Sequence, residues 1–258
     1  MQRWQCRDRV PQATQPVDQH PLNLFPHRST LRSAFYHRKN PARAFWYIIE
    51  GGFLPKPLML EVNPILRMQD EVTDRWHRDE SAPYLADPRP DPFTTLILAH
   101  HHANFDLWHQ EDDARSPEAS DAAIAAIKHA IDRLNQTRND LVEQIDNLLL
   151  AQAGPQNDSS PLNSESPGLI IDRLSILALK LYHTAAEAHR PSASETQREM
   201  NRRRLDVLEH QRSELAGCLD ALWTEVLAGR RHFHLYRQMK MYNDPDLNPV
   251  LYRRAEFK

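Results

Sequence analysis

The chain has 258 residues, 40% of them hydrophobic and 26% charged, with a formal charge of −3 at pH 7. That is enough to bury a core, without the basic surplus of a general nucleic-acid binder. Cys6 and Cys218 are too few for a disulfide framework, and no apolar run approaches the ~20 residues of a membrane span. A cytoplasmic address with no membrane span is the expectation, and Cys218 reads as a buried thiol.

Met1 to Leu58 holds nine Lys/Arg against three Asp/Glu, so the remainder carries −9. Gln, Pro and Arg dominate this stretch, no period survives in it, and Phe45 to Ile49 stand without apolar partners. It reads either as a disordered basic arm or as a mis-annotated upstream segment with translation starting at Met59 or Met68. In both cases residues 1–58 are dispensable to the fold, and residues 59–258 form the domain.

Helical signal begins weakly over Ile65 to Trp76, followed by a Pro-rich loop to Pro92. The 3/4 spacing then predicts helices over 93–115, 117–152, 166–189 and 196–228, with Ser116-Pro117 and Ser166-Pro167 as cap-plus-proline starts. A short helix is predicted over Arg231 to Tyr242, stopped at Asn243-Asp244-Pro245. No strand pair or repeat is visible. The class is therefore all-α: an antiparallel bundle of four long helices plus a short C-terminal one. The helix over 166–189 is apolar almost all round, which predicts the middle of the bundle.

Charge on inward faces marks the candidate chemistry. Ile97, His101, Asn104, Trp108, Glu111 and Arg115 share a sector of about 80°, a face that should pack inward. Arg138 stands at a core position between Leu134 and Leu141 and needs a carboxylate partner, for which Glu111 and Asp172 are the candidates. Glu111, Arg115, Arg138, Asp172 and Arg173 are expected to converge. The alternatives are surface pairing for Glu111 with Arg115, and a solvated stripe for Asp132, Asn135, Glu143 and their neighbours. His100-His101-His102 point three ways and cannot chelate from one turn. No metal-ligand motif is recognised, and Glu143 with Asp146 is a weak Mg²⁺ pair.

Four strings in order carry a resemblance: Asn104 to Arg115, Ile131 to Asp140, Asn163 to Lys180, and Tyr236 to Pro245. They resemble the bacterial family of domain of unknown function 4254 over about residues 65–252. The resemblance implies that the polar residues of its motifs matter: Asn104, Trp108, Glu111, Arg115, Asp132, Asn135, Arg138, Asp140, Glu165, Asp172, Arg173, Tyr236, Gln238, Lys240 and Asn243. Family members beside glycosyltransferase genes hint at envelope-glycan assembly.

Two functions follow as expectations. In the first, a buried Arg/Glu/Asp-lined site binds or transforms a small polar anionic ligand such as a phosphosugar, a sugar nucleotide or a carboxylate. Glu111 and Asp172 would be its acid/base groups, and Asn104, Trp108, Arg115, Asn135, Arg138, Arg173, Tyr236, Lys240 and Asn243 would bind the ligand. In the second, the chain is a non-catalytic accessory module that binds a partner, and its buried ion pairs only fix helix register. Neither names a cofactor or an oligomeric state.

Overall fold

The computed structural model describes residues 60–78, 91–237 and 246–248. Contacts divide the chain into Met1–Lys56 and Pro57–Lys258, and every described residue belongs to the second unit. The expectations for residues 1–58 lie outside the described residues.

The described residues are almost wholly helical, in the order α1 (Val62–His77), α2 (Pro92–Asp113), α3 (Asp121–Ala153), α4 (Pro167–His189) and α5 (Glu195–Leu227). Side chains set the helix starts. Asp91 accepts from the backbone N–H of Phe93 and Thr94 with Pro92 in the first turn, and Ser166 does the same for Leu169 ahead of Pro167. Ser194 and Gln197 form a reciprocal capping box on α5. Gly154, at φ +69°, ends α3 in a backbone region that a side chain disfavours.

One helix start, the fifth helix and one side chain differ from expectation. α3 opens at Asp121, because Ser120 accepts from Ala123 N–H at 3.2 Å, whereas Ser116 reaches Glu118 N–H only at 3.4 Å. Among the described residues the fifth helix is α1, where the sequence carries only a weak signal over Ile65 to Trp76. Arg231 to Arg237 is non-helical, and the rest of the expected C-terminal helix, to Tyr242, lies outside the described residues apart from this part. His232–Phe233 (β2) pairs in parallel with Leu162–Asn163 (β1), and the Gln156 amide brackets the Phe233 backbone at 2.9 and 3.0 Å. Phe233 is fully buried, so core insertion and these bonds outweigh helix propensity. Cys218 is exposed, because the inward stripe of α5 runs through Ala216, Leu219, Leu222, Trp223 and Val226.

α4 packs against each of the other four helices. Its first half is deeply buried, with Ile171, Leu174 and Leu179 at most 1% exposed, while residues 181–187 are half-buried. α1 supplies Val62, Ile65, Met68 and Val72 to the same core, alongside Phe93 and Ile97 from α2. Truncating a side chain such as Leu174 to Ala costs about 2–5 kcal/mol. This apolar packing fixes where the polar residues of α1, α2 and α4 meet.

Candidate functional site

Asp172 lies one turn into α4, on the buried face of that helix. Its carboxylate therefore needs donors from neighbouring helices, and it has four. His100 Nε2–H donates at 2.8 Å and Asn104 Nδ2–H at 3.0 Å, both from α2. Arg138 on α3 forks onto both oxygens through Nε, at 2.7 Å, and Nη2. Burial alone would raise the Asp172 pKa, but the bonds and charges of His100 and Arg138 outweigh it and hold the carboxyl well below the usual range.

The network continues across the core. The second N–H of Asn104 reaches Ser175 Oγ at 2.9 Å, and Ser175 Oγ bonds His101 Nδ1 at 2.7 Å. His101 Nε2 meets Thr73 Oγ1 at 2.8 Å and the Gln69 carbonyl at 3.1 Å. A carbonyl only accepts, so Nε2 carries the His101 proton and Ser175 donates to Nδ1. Burial, then the charge of His100, pushes the His101 pKa down to about 3, so this ring is neutral. Apart from His100 Nδ1 and the Gln69 side-chain amide, which have no partner among the described residues, this seam is paired, which suits fixing the register of α1, α2, α3 and α4.

The other expected site residues lie elsewhere. Arg138 and Asp172 meet, but Glu111 pairs with Arg115 at 2.9 Å on an exposed turn, and Arg173 pairs with Glu165 at 2.8 Å at the surface. The five charges therefore do not form one cluster, because i, i+4 and local partners satisfy three of them outside the core. Asn135 donates back to the Ile131 carbonyl at 3.0 Å. Asp132 pairs with Lys128 and Asp140 with Gln136 one turn apart. Tyr236 is exposed, and Gln238, Lys240 and Asn243 lie outside the described residues. Asp146, offered with Glu143 as a Mg²⁺ pair, is buried and accepts from Ser166 Oγ and, at 2.6 Å, from Gly168 N–H. It serves as a cap for α4.

Trp108 leads to a second cluster. Its ring stacks on His183 of α4, with centroids 4.6 Å apart and planes 5° apart. Beside His183 stand His109 of α2 and His77, the last residue of α1, and one nitrogen from each of the three lies within 4.8 Å of the others. Each ring has its own aromatic wall: Tyr182 stacks on His77 at 4.0 Å, and Phe105 meets His109 edge-on at 4.5 Å. His77 Nδ1–H donates to the Thr73 carbonyl at 2.8 Å, which fixes its tautomer and leaves Nε2 as a lone pair. His77 Nε2 and His183 Nε2 are buried and have no partner among the described residues. Buried polar atoms are normally satisfied, so these two nitrogens are the ones in the cluster with capacity for a ligand.

Burial lowers the pKa of His77. Burial, then the charges of His77 and His109, pushes His183 down to about 4. Neutral imidazoles are the metal-ligating form. The sequence shows no sign of this group, because its members come one each from three helices 32 and 74 residues apart along the chain. Only the packing of α1 and α2 on α4 brings them together. Thr73 links the two clusters: its hydroxyl bonds His101 in the seam, and its carbonyl orients His77.

A protein family described as Protein of unknown function (DUF4254) matches residues 94–235. No curated protein and no solved structure matches the chain. His109, His183 and the Asp172 seam on α2, α3 and α4 fall inside the matched residues, whereas α1, with Thr73 and His77, precedes them.

Proposed function

We propose that this chain, which belongs to the DUF4254 family of proteins of unknown function, is a metal-binding helical protein whose His77, His109 and His183 hold one first-row transition dication. The observation that carries this reading is three imidazoles from three helices with a ligand atom each within 4.8 Å, in a cluster where His77 Nε2 and His183 Nε2 are buried without partners among the described residues. An all-imidazole donor set selects zinc, copper, nickel or cobalt over magnesium and calcium, which take oxygen ligands. Metal–nitrogen bonds of ~2.05 Å give a tetrahedral edge of about 3.3 Å, so the rings would close on the ion by up to about 1.5 Å. The Thr73 carbonyl on His77 supplies the outer-shell bond that metal-ligating histidines usually have.

The small polar anionic ligand expected from the sequence has no support at Arg138, whose fork is already filled by a carboxylate. A metal dication held by three uncharged ligands is the stronger anion attractor in this molecule. The test is a zinc or cobalt titration of the metal-stripped full chain, followed by calorimetry or absorbance. One ion should bind per chain, and His109→Ala and His183→Ala should each weaken binding at least tenfold while the helical circular-dichroism signal survives. Equal binding by the parent and both variants would refute the assignment.

A further inference from the structure

Independently of the metal reading, we infer that one face of the α4–α5 hairpin is a docking surface for a second copy of this chain. Two grooves of about 910 and 720 Å³ run end to end along that face and share Gln211 where they join. Among the described residues, only α4, α5 and the turn at 163–165 line them. On α4 the lining follows Arg173, Leu177, Lys180 and Thr184, and on α5 it follows Met200, Val207, Gln211, Glu214 and Cys218. Steps of three, four and seven residues are those of a helix that packs lengthwise against another helix. The apolar positions on this seam are only partly covered. Met200 and Val207 are 45% and 55% exposed, and Ile176, Leu177, Leu208 and Leu215 are half-buried. α4 is apolar almost all round, so a side that its own hairpin leaves half-covered calls for a further helix.

The charges on the two rims select the partner. The α4 rim is cationic, with Lys180 exposed and Arg173 held by Glu165 at 2.8 Å. Across the groove, the α5 rim carries Glu214, which reaches the exposed His210 one turn away at 3.2 Å. Two such hairpins stack face to face in one of two ways. With α4 on the α4 of the copy, cationic rim meets cationic rim and the two Glu214 rims meet as well. With α4 on the α5 of the copy, about a twofold axis along the hairpin, Lys180 of each chain meets Glu214 of the other. The second arrangement is self-complementary, as an isologous dimer contact must be. It also lays Ile176 and Leu177 against the Leu215 and Cys218 of the copy. Toward the other end Arg203 is paired with Glu199 at 3.1 Å and faces Thr184 rather than a cation.

Charge reversal in the full chain, followed by analytical ultracentrifugation, tests this. The parent should sediment as a dimer at micromolar concentration. Lys180→Glu and Glu214→Lys should each weaken the dimer at least tenfold while the helical circular-dichroism signal survives. Mixing the two variants should restore a heterodimer, because the mixed pair regains opposite charges at both contacts. The exposed Cys218 thiol should also react more slowly with a maleimide as protein concentration rises through the dimer range. A parent that sediments as a monomer at every concentration would overturn the proposal, and a Cys218 that is unreactive in that monomer would place another part of the chain in the groove. Dimerisation that neither charge reversal weakens would put the contact on a different face and overturn it equally.

Discussion

Arg138 gives Asp172 two of its four donors, so its removal leaves a buried carboxylate still bonded to His100 and Asn104. Breaking a fully buried pair typically costs 3–5 kcal/mol. With two donors retained, Arg138→Met should cost about 2–3 kcal/mol in urea unfolding; a neutral result would mean the pair does not fix the helices. Gly168 is needed for a different reason. A Cβ there would sit 2.7 Å from Asp146 Oδ1 and 2.9 Å from the Val142 carbonyl. The carbonyl belongs to α3 and cannot rotate away. Gly168→Ala should therefore destabilise by roughly 1–3 kcal/mol, as overpacking does, and an unchanged melting temperature would contradict the close approach of α3 and α4.

At the scale of elements, capping side chains and apolar periodicity made α2, α4 and α5 legible to within about two residues, the usual uncertainty of helix ends. The Asp172–Arg138 pair was legible too, because a charge on an apolar stripe demands a partner. What was hidden depends on packing between helices. Phe233 leaves a helical pattern because Gln156, 77 residues away, satisfies its backbone. The histidines were invisible because the period within α1, α2 or α4 says nothing about which turns of the three will meet. α4 itself depends on its start: Ser166 is 1% exposed, caps Leu169 N–H and donates to Asp146. Ser166→Ala loses both bonds, so it should cost about 2 kcal/mol, the upper end for an N-cap. A loss below ~0.5 kcal/mol, the lower end for an N-cap, would show that Asp146 alone holds the helix start.

Across the whole molecule, buried titratable groups set how stability follows pH. His101, pushed to about 3 from its ordinary 6.5, refuses a proton that the unfolded chain accepts, so its contribution falls as pH drops below about 6.5. His183 acts in the same direction, and Asp172 adds to it below the ordinary carboxylate range, because its folded pKa is depressed. Asp146 opposes them. Burial raises its pKa to about 6 despite the bonds from Ser166 and Gly168, so its stabilising contribution is present in acid and lost as pH rises through about 6. The chain should therefore lose stability from pH 7 to 4.5, and Asp146→Asn should steepen that loss in urea melts. A shallower slope in the variant would reverse the assignment.

The proposed ligands His77, His109 and His183 would hold a metal only as neutral rings, so acid that destabilises the fold should also release the ion. X-ray absorption at the zinc edge of the zinc-loaded full chain tests the metal centre most directly. The proposed centre predicts three imidazole nitrogens at about 2.0 Å, with imidazole outer-shell scattering that weakens in His109→Ala. A sulfur shell near ~2.3 Å, or a spectrum of zinc surrounded by oxygen without imidazole, would contradict it.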